Sequence, residues 1–116
     1  MNAKESPIDV RFFRRGSLAP FRQWLAALRD VRAQSVIDNR VGRLRLGNFG
    51  DCKPVGDGVA ELRIDFGPGY RVYYGRQGPL VVVLLCGGDK ATQSRDIAEA
   101  KRYWKEHLNV KSEGDN

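Results

Sequence analysis

The sequence is poor in the residues that build metal sites and disulfide frameworks. It contains two cysteines, Cys52 and Cys86, which form no CxxC pair, and a single histidine, His107. A structural zinc site takes about four such ligands, so the composition excludes one, and we expect neither a metal nor a cofactor. Two thiols in a chain that shows no secretory leader are typical of a reduced, cytoplasmic protein.

Long apolar runs are also lacking. The best run, Pro79–Cys86, is far shorter than the roughly 18 uncharged apolar residues that a membrane span requires. Residues 1–15 carry Lys4, Glu5, Asp9 and Arg11 in place of the apolar stretch of a secretory signal. These absences predict a protein that is neither secreted nor embedded in a membrane.

Negative charge is the third shortage. The 116 residues include 20 lysines and arginines but 14 aspartates and glutamates, which gives a formal net charge of +6. Most of the cations are arginines, whose planar guanidinium matches phosphate, and they are spread along the chain. A folded basic surface suits nucleic acid, although the charge could instead serve only solubility. The length predicts one domain over 1–116, with a core at about 8–108 and a polar tail at 109–116.

Two helices are predicted in the first half of the chain, after a short strand over Ile8–Phe13. Ser17 is a candidate N-cap of the first helix, and Pro20 falls in its first turn. The apolar face of this helix has residues at helical spacing: Phe21, Trp24, Leu25 and Leu28.

The second helix is predicted over residues 32–46, and Gly47–Pro54 follows as a loop rich in helix breakers. Ile37, Val41 and Leu44 line its apolar face. The basic residues of this helix are expected to project elsewhere: Arg40, Arg43 and Arg45.

The second half predicts three antiparallel strands. Val59–Phe66 and Tyr70–Tyr74 alternate between apolar and polar residues, with turns at 67–69 and 76–78. Leu80–Leu85 is continuous and β-branched, which is typical of a central strand buried on both faces. Gly87 and Gly88 are expected to stop that strand.

A last helix should follow, capped by Asp89 or Thr92, with a polar and frayed tail from Asn109. Its apolar residues are Ile97, Ala100, Trp104 and Leu108. The predicted fold is α+β: an N-terminal strand and a helical hairpin packed on a small, mostly antiparallel sheet, with a C-terminal helix. Both tryptophans are expected in the core, and His107 on the solvated helix surface.

The polar face of the predicted meander is the first candidate site. If the apolar residues of both strands face the core, Arg63, Arg71 and Tyr73 share the opposite surface, where two guanidiniums and a phenol could hold a phosphodiester and a base. The alternative is an ordinary exposed face on which Arg63 pairs with Glu61 or Asp65.

The turn between the third strand and the last helix is the second candidate site. Gly87–Lys90 would place Lys90 and a helix N-terminus where an anion could dock. The spacing is not that of a P-loop, and the alternative is a tight turn capped by Asp89.

Four segments, in this order and spacing, resemble the RelE/ParE toxin superfamily, and within it the HigB-like "addiction module killer protein" group. The resemblance runs from about Ile8 to Trp104. The segments are Arg43–Asp51 (RLRLGNFGD), Glu61–Ile64 (ELRI), Phe66–Tyr74 (FGPGYRVYY) and Gly87–Ala100 (GGDKATQSRDIAEA).

The resemblance implies a RelE-like fold and a cytoplasmic type II toxin that is neutralised by a cognate antitoxin, usually one with a helix-turn-helix domain. Such a toxin meets operator DNA only through its antitoxin. Members of this group cut mRNA in the ribosomal A site without a metal: a 2′-hydroxyl attacks the adjacent phosphate and leaves a cyclic phosphate and a 5′-hydroxyl. The catalytic basic residues of the family would correspond to Arg63, Arg71 and Lys90.

The general base stays open. The tyrosine that serves RelE in the C-terminal segment has no counterpart in Arg95–Ile97. Tyr73, Asp96 and Lys90 are the candidates, and the alternative is that the enzyme relies on positioning and charge stabilisation. We expect Arg71 to stabilise the pentacovalent phosphate, Arg63 to bind the backbone, and Lys90 to donate to the leaving 5′-oxygen or to neutralise charge. Residues expected to contact ribosomal RNA are Arg40, Arg43, Arg45, Lys53, Arg14 and Arg15, with Arg11. The alternatives are a ParE-like toxin that binds DNA gyrase, or an inactive member that only binds its antitoxin.

Overall fold

The computed structural model describes residues 7–114 and has an α+β fold, as predicted. A single turn of 3₁₀-helix, Lys90–Thr92, precedes the last helix. The other elements, in chain order, are β1 (Asp9–Phe12), α1 (Pro20–Ala27), α2 (Val31–Arg45), β2 (Cys52–Gly56), β3 (Val59–Ile64), β4 (Tyr70–Gln77), β5 (Val81–Asp89) and α3 (Gln93–Gly114).

Within the described range, the strands form one mixed sheet of five strands in the order β1-β5-β4-β3-β2. β1 runs parallel to β5, and the remaining neighbours are antiparallel, so the prediction of a mostly antiparallel sheet is confirmed. The predicted loop over Gly47–Pro54 is wrong at its end, because β2 begins at Cys52. β2 lies at the sheet edge, where Pro54 is tolerated, and a bulge separates Pro54 from Gly56.

Both predicted helices of the hairpin are confirmed, but their starts differ. Ser17 is not the N-cap of α1. Ala19 occupies that position, and Pro20 supplies a preset backbone angle for the first turn. Asp30 caps α2, since its carboxylate accepts hydrogen bonds from Arg32 N (2.9 Å) and Ala33 N (3.3 Å). α1 therefore begins at a proline whose ring fixes the backbone angle, and α2 begins after an aspartate that accepts hydrogen bonds from the first backbone N–H groups.

The sheet is covered on both sides, so the domain has three layers. On one side, α1 and α2 pack Phe21, Ile37 and Leu44 against the sheet. On the other side, Ala100 and Trp104 of α3 do the same. β5 contributes to both cores, which confirms its prediction as a strand buried on both faces.

The prediction that Gly87 and Gly88 end the last strand is wrong, because β5 continues through them to Asp89. They provide space for large groups on the two faces. A Cβ on Gly87 would lie 2.2 Å from the Trp24 ring, and one on Gly88 would lie 1.8 Å from Asp96 Oδ2.

The last helix is longer than the sequence pattern indicates. α3 continues through Gly114, so the prediction of a frayed tail from Asn109 is wrong over 109–114, and residues 115–116 lie outside the described range. Among residues 7–114, no helix combines the length and apolar character needed to cross a membrane.

Candidate functional site

A row of polar residues crosses one face of the sheet from β2 to β5. Arg63 on β3 lies directly opposite Arg71 on β4, and Arg71 lies opposite Gly88 on β5. Asp51, just before β2, continues the row, because its carbonyl accepts a hydrogen bond from Arg63 N (2.9 Å). Residues directly opposite in antiparallel strands point to the same face. The prediction that Arg63 and Arg71 share one surface is therefore confirmed.

The neighbouring row on the same face consists of Lys53, Glu61, Tyr73 and Cys86, paired in register across β2 to β5. α3 lies over most of this row, so Glu61 and Tyr73 are fully buried, whereas Lys53 at the sheet edge is exposed. The face is thus half closed by the helix and half open to solvent.

Tyr73 does not accompany Arg71 on an open surface, and the prediction that it offers a stacking plane is wrong. Its side chain is 0% exposed, and its hydroxyl has no hydrogen-bond partner among the described residues. Burial raises the pKa of the Tyr73 phenol, and the nearby carboxylates of Glu61 and Asp96 raise it further. A buried phenol that resists ionisation can neither stack on a base nor accept a proton from substrate.

Glu61 anchors the two arginines from below. Its Oε1 lies 2.9 Å from Arg63 Nε and 3.9 Å from Arg71 Nε, and its Oε2 accepts a hydrogen bond from Gln93 Nε2 (2.6 Å). The hydrogen bond to Glu61 is the main cause of the raised pKa of Arg63. The pairing of Arg63 with Glu61, one of the expected alternatives, is confirmed. It orients Arg63 while leaving about a third of its side chain exposed.

Lys90 closes the site at the end of β5. Its backbone N–H donates to Gly69 O (2.9 Å), which holds it against the turn between β3 and β4. The structure therefore brings the three predicted basic residues to one cleft of about 450 Å³. Its lining residues are Asp51, Arg63, Ile64, Asp65, Gly67, Pro68, Gly69, Arg71 and Lys90.

The turn that carries Lys90 is capped as predicted. The carboxylate of Asp89 accepts a hydrogen bond from Ala91 N (2.9 Å). Asp96, another candidate base, is buried, accepts a hydrogen bond from Thr92 Oγ1, and lies 3.6 Å from Arg95 Nε. It is not among the residues that line the cleft.

Arg40 does not project away from the core, and that expectation is wrong. The residue is 8% exposed, and its guanidinium donates to the carbonyls of Phe49 (3.2 Å), Asp51 (3.3 Å) and Arg63 (3.0 Å). Desolvation, followed by the nearby charge of Arg43, lowers its pKa. Because the Arg40 guanidinium donates hydrogen bonds to three backbone carbonyls, it joins the loop before β2 to β3. Few of its N–H donors remain for contacts with RNA.

The loop accommodates this guanidinium because residue 50 is glycine. Gly50 has φ of +60°, and a Cβ there would lie 2.7 Å from Arg40 Nη1. A side chain at this position would meet both backbone strain and the guanidinium.

The other predicted RNA contacts lie on the surface but not together. Arg43, Lys53, Arg14 and Arg15 are exposed, and Arg45 is half-buried. Lys53 is at the β2 edge beside the cleft, whereas Arg14 and Arg15 follow β1 at the opposite edge. Arg15 packs over the Tyr103 ring and lies 3.5 Å from Glu106.

His107 is not simply a solvated side chain. It is half-buried, its ring stacks on Trp104 with centroids 5.5 Å apart, and its Nε2 lies 3.0 Å from Gln77 Oε1. It lies on α3 about 20 Å along the helix axis from Gln93, so it is remote from the cleft.

Sequence reasoning missed three contributors to the site. Asp51 falls in a predicted loop, Glu61 is predicted only as an exposed partner of Arg63, and Gln93 appears only within a segment that carries the family resemblance. Glu61 and Asp51 can be identified from their positions relative to Arg63 in the sheet. Those positions can be read only when the pairing of β2 with β3 is known. Among residues 7–114, no group of three or more His, Cys, Asp or Glu side chains could hold a metal ion.

The chain is similar to a protein of Haemophilus influenzae strain Rd that is described as an uncharacterized protein. The two are 56% identical over 81 residues, which cover 70% of this chain and 82% of the Haemophilus protein. No family model and no solved structure matches the chain. At this identity and coverage, the chain belongs to the same protein family as the Haemophilus influenzae protein.

Proposed function

We propose that the protein is the toxin of a type II toxin–antitoxin system, with a RelE-like fold, that cleaves mRNA on the ribosome and so inhibits translation. The supporting observation is the cleft, in which Arg63 and Arg71 lie in register and Lys90 closes the end. Three cations from three elements meet there, and a shared buried carboxylate, Glu61, lies beside both arginines.

The proposed reaction needs this kind of electrostatic environment. When the 2′-oxygen attacks phosphorus, negative charge develops on the non-bridging oxygens, and fixed guanidinium groups stabilise it. Arg71 is the more enclosed of the two arginines, with 13% of its side chain exposed, and it takes this role. Arg63 holds the phosphate backbone, and Lys90 donates a proton to the departing 5′-oxygen.

The resemblance to the RelE/ParE superfamily supplies the partners in this proposal. A cognate antitoxin with a helix-turn-helix domain neutralises the toxin in the cytoplasm and connects it to operator DNA. The exposed basic side chains contact ribosomal RNA, and that contact weakens with salt, as phosphate contacts do. They are Arg43, Lys53, Arg14 and Arg15, with the half-buried Arg45.

Primer extension on a defined mRNA in a purified translation system tests the proposal. Wild-type protein should produce cuts at A-site codons only when ribosomes are present, and Arg71→Ala should abolish them. Arg29→Ala is the matched control, because Arg29 is exposed and does not line the cleft. Intact mRNA with the wild-type protein, while cells that express it still stop growing, would contradict an RNase.

A ParE-like toxin that binds and poisons DNA gyrase without cutting RNA is the second candidate. The burial of Tyr73 and Asp96 favours it, because two of the three candidate bases are withdrawn from the cleft. Pulse labelling after induction separates the two functions. Translation stops first under the RNase proposal, and DNA synthesis stops first under gyrase poisoning.

A further inference from the structure

The RNA cleavage proposed above needs a group that takes the proton from the attacking 2′-hydroxyl, and this inference rests on that proposal. The basic residues of the cleft cannot serve. A guanidinium stays protonated in proteins, and an ammonium group has no lone pair that could accept a proton. The base must therefore be another side chain that reaches the cleft.

The buried acidic groups near the cleft are already engaged. Glu61 is fully buried, with one oxygen beside two arginines and the other bonded to Gln93. Asp96 is buried and bonded to Thr92. Tyr73 is enclosed beneath α3. The carboxylates that line the cleft itself are Asp51 and Asp65, and they are the remaining candidates for the base.

We propose that Asp51 is the general base of the cleavage reaction. Asp51 precedes β2 directly opposite Arg63, in the row that continues to Arg71, so the three side chains leave the same face of the sheet. It is exposed and lines the cleft, to which α3 contributes no lining residue. A phosphate held between the two arginines would thus have a carboxylate at one side and Lys90 at the other.

The backbone of Asp51 is fixed in a way that suits a base. Its carbonyl accepts hydrogen bonds from Arg63 N (2.9 Å) and from Arg40 Nη2 (3.3 Å), and Arg40 also binds Phe49 O (3.2 Å). Desolvation lowers the pKa of Arg40, and the nearby charge of Asp51 opposes that lowering; for Arg63, whose pKa is raised mainly by its hydrogen bond to Glu61, Asp51 adds a smaller contribution in the same direction, so the carboxylate lies near both guanidiniums. Catalytic groups act best when the surrounding structure holds them in place.

Asp65 lines the same cleft but is placed differently. It follows the end of β3, one residue after the last paired position, Ile64. It therefore lies outside the cross-strand row that Asp51 shares with the arginines. Asp65 is accordingly the residue whose substitution best distinguishes this proposal from its closest competitor.

The reaction step balances without a further reactant. The Asp51 carboxylate takes the proton of the 2′-hydroxyl, and the oxygen electron pair forms the new bond to phosphorus. The bond from phosphorus to the 5′-oxygen breaks, and Lys90 protonates that oxygen. The products are a 2′,3′-cyclic phosphate and a 5′-hydroxyl, and proton exchange with water returns Asp51 and Lys90 to their starting states.

Single-turnover cleavage of ribosome-bound mRNA by the full-length protein tests this assignment. Asp51→Asn should lower the rate by about 100-fold to 10,000-fold, the range for loss of a general base. Asp38→Asn, on the exposed face of α2, is the matched control and should keep the wild-type rate. Thermal melts establish that each variant is folded.

Chemical rescue separates a base from a structural carboxylate. Added formate should restore part of the rate of Asp51→Ala in a concentration-dependent manner, whereas chloride at equal ionic strength should not. Rescue by formate with a folded variant would support the proposal. Near wild-type cleavage by Asp51→Asn, or loss of cleavage in Asp65→Asn alone, would overturn it and leave the RNase function standing. Absence of cleavage by the wild-type protein would overturn both.

Discussion

Replacement of Arg40 by methionine tests how much stability the buried guanidinium provides. Arg40 donates to the carbonyls of Phe49, Asp51 and Arg63 at 3.0–3.3 Å, and methionine retains the packing volume without any donor. A hydrogen bond to a charged group contributes about 1.5–3 kcal/mol, and relief of guanidinium desolvation offsets part of the sum. We expect Arg40→Met to lower the free energy of unfolding by about 2–4 kcal/mol.

Urea unfolding followed by tryptophan fluorescence measures this change. With a slope near 2 kcal/mol/M, typical of a small domain, the midpoint should fall by roughly 1–2 M. Arg43→Met is the control on the same helix, because Arg43 is exposed, and its stability should stay within about 0.5 kcal/mol of the wild type. A loss below about 1 kcal/mol for Arg40→Met, with an unchanged slope, would refute the argument that Arg40 fastens the loop to β3.

Three further predictions concern other buried positions. Gly88→Ala should destabilise the protein by about 1–3 kcal/mol, since the new Cβ overlaps a carboxylate, whereas Gly42→Ala, which meets no atom within 4 Å, should stabilise α2 by about 0.5–1 kcal/mol in thermal melts. Burial raises the pKa of the Cys86 thiol to about 12, whereas Cys52 is exposed. A chromogenic disulfide reagent at pH 8 should therefore titrate one thiol in the native protein and two in urea. Titration of two thiols in the native protein would contradict the structure. Tyr73→Phe removes a buried hydroxyl that has no hydrogen-bond partner among the described residues. The free energy of unfolding should therefore rise by about 1 kcal/mol, and mRNA cleavage should be retained. A loss of stability would show that the hydroxyl is hydrogen-bonded.

The alternation along β3 and β4 was sufficient to predict which residues share a face. It placed Leu62 and Val72 in one core and Arg63 and Arg71 opposite them, as the structure has it. A period of two does not tell whether the second face is covered. The docking of α3 over Tyr73 depends on contacts between distant parts of the chain, so the sequence pattern could not separate the buried half of that face from the open half.

The helical periodicity of α2 already indicates the burial of Arg40. Ile37, Arg40, Val41 and Leu44 follow the spacing of one helix face, so periodicity alone put the arginine on the buried side. A charged side chain is usually exposed, so its charge favours the opposite prediction. The carbonyls that compensate for its burial lie in the loop before β2 and on β3. A burial that depends on such distant acceptors is not visible along a single helix.

The parallel pairing of β1 with β5 has a consequence for the way in which the chain folds. β1 is the first element of the described chain and β5 its last strand, and their pairing joins Asp9 to Val81, which are 72 residues apart in the sequence. Contacts of high sequence separation slow folding, because the entropy of closing a long loop must be overcome before they form. During synthesis, β1 and the helical hairpin leave the ribosome before β5, the strand that pairs with β1 in the sheet. The domain can then assemble only after β5 has emerged.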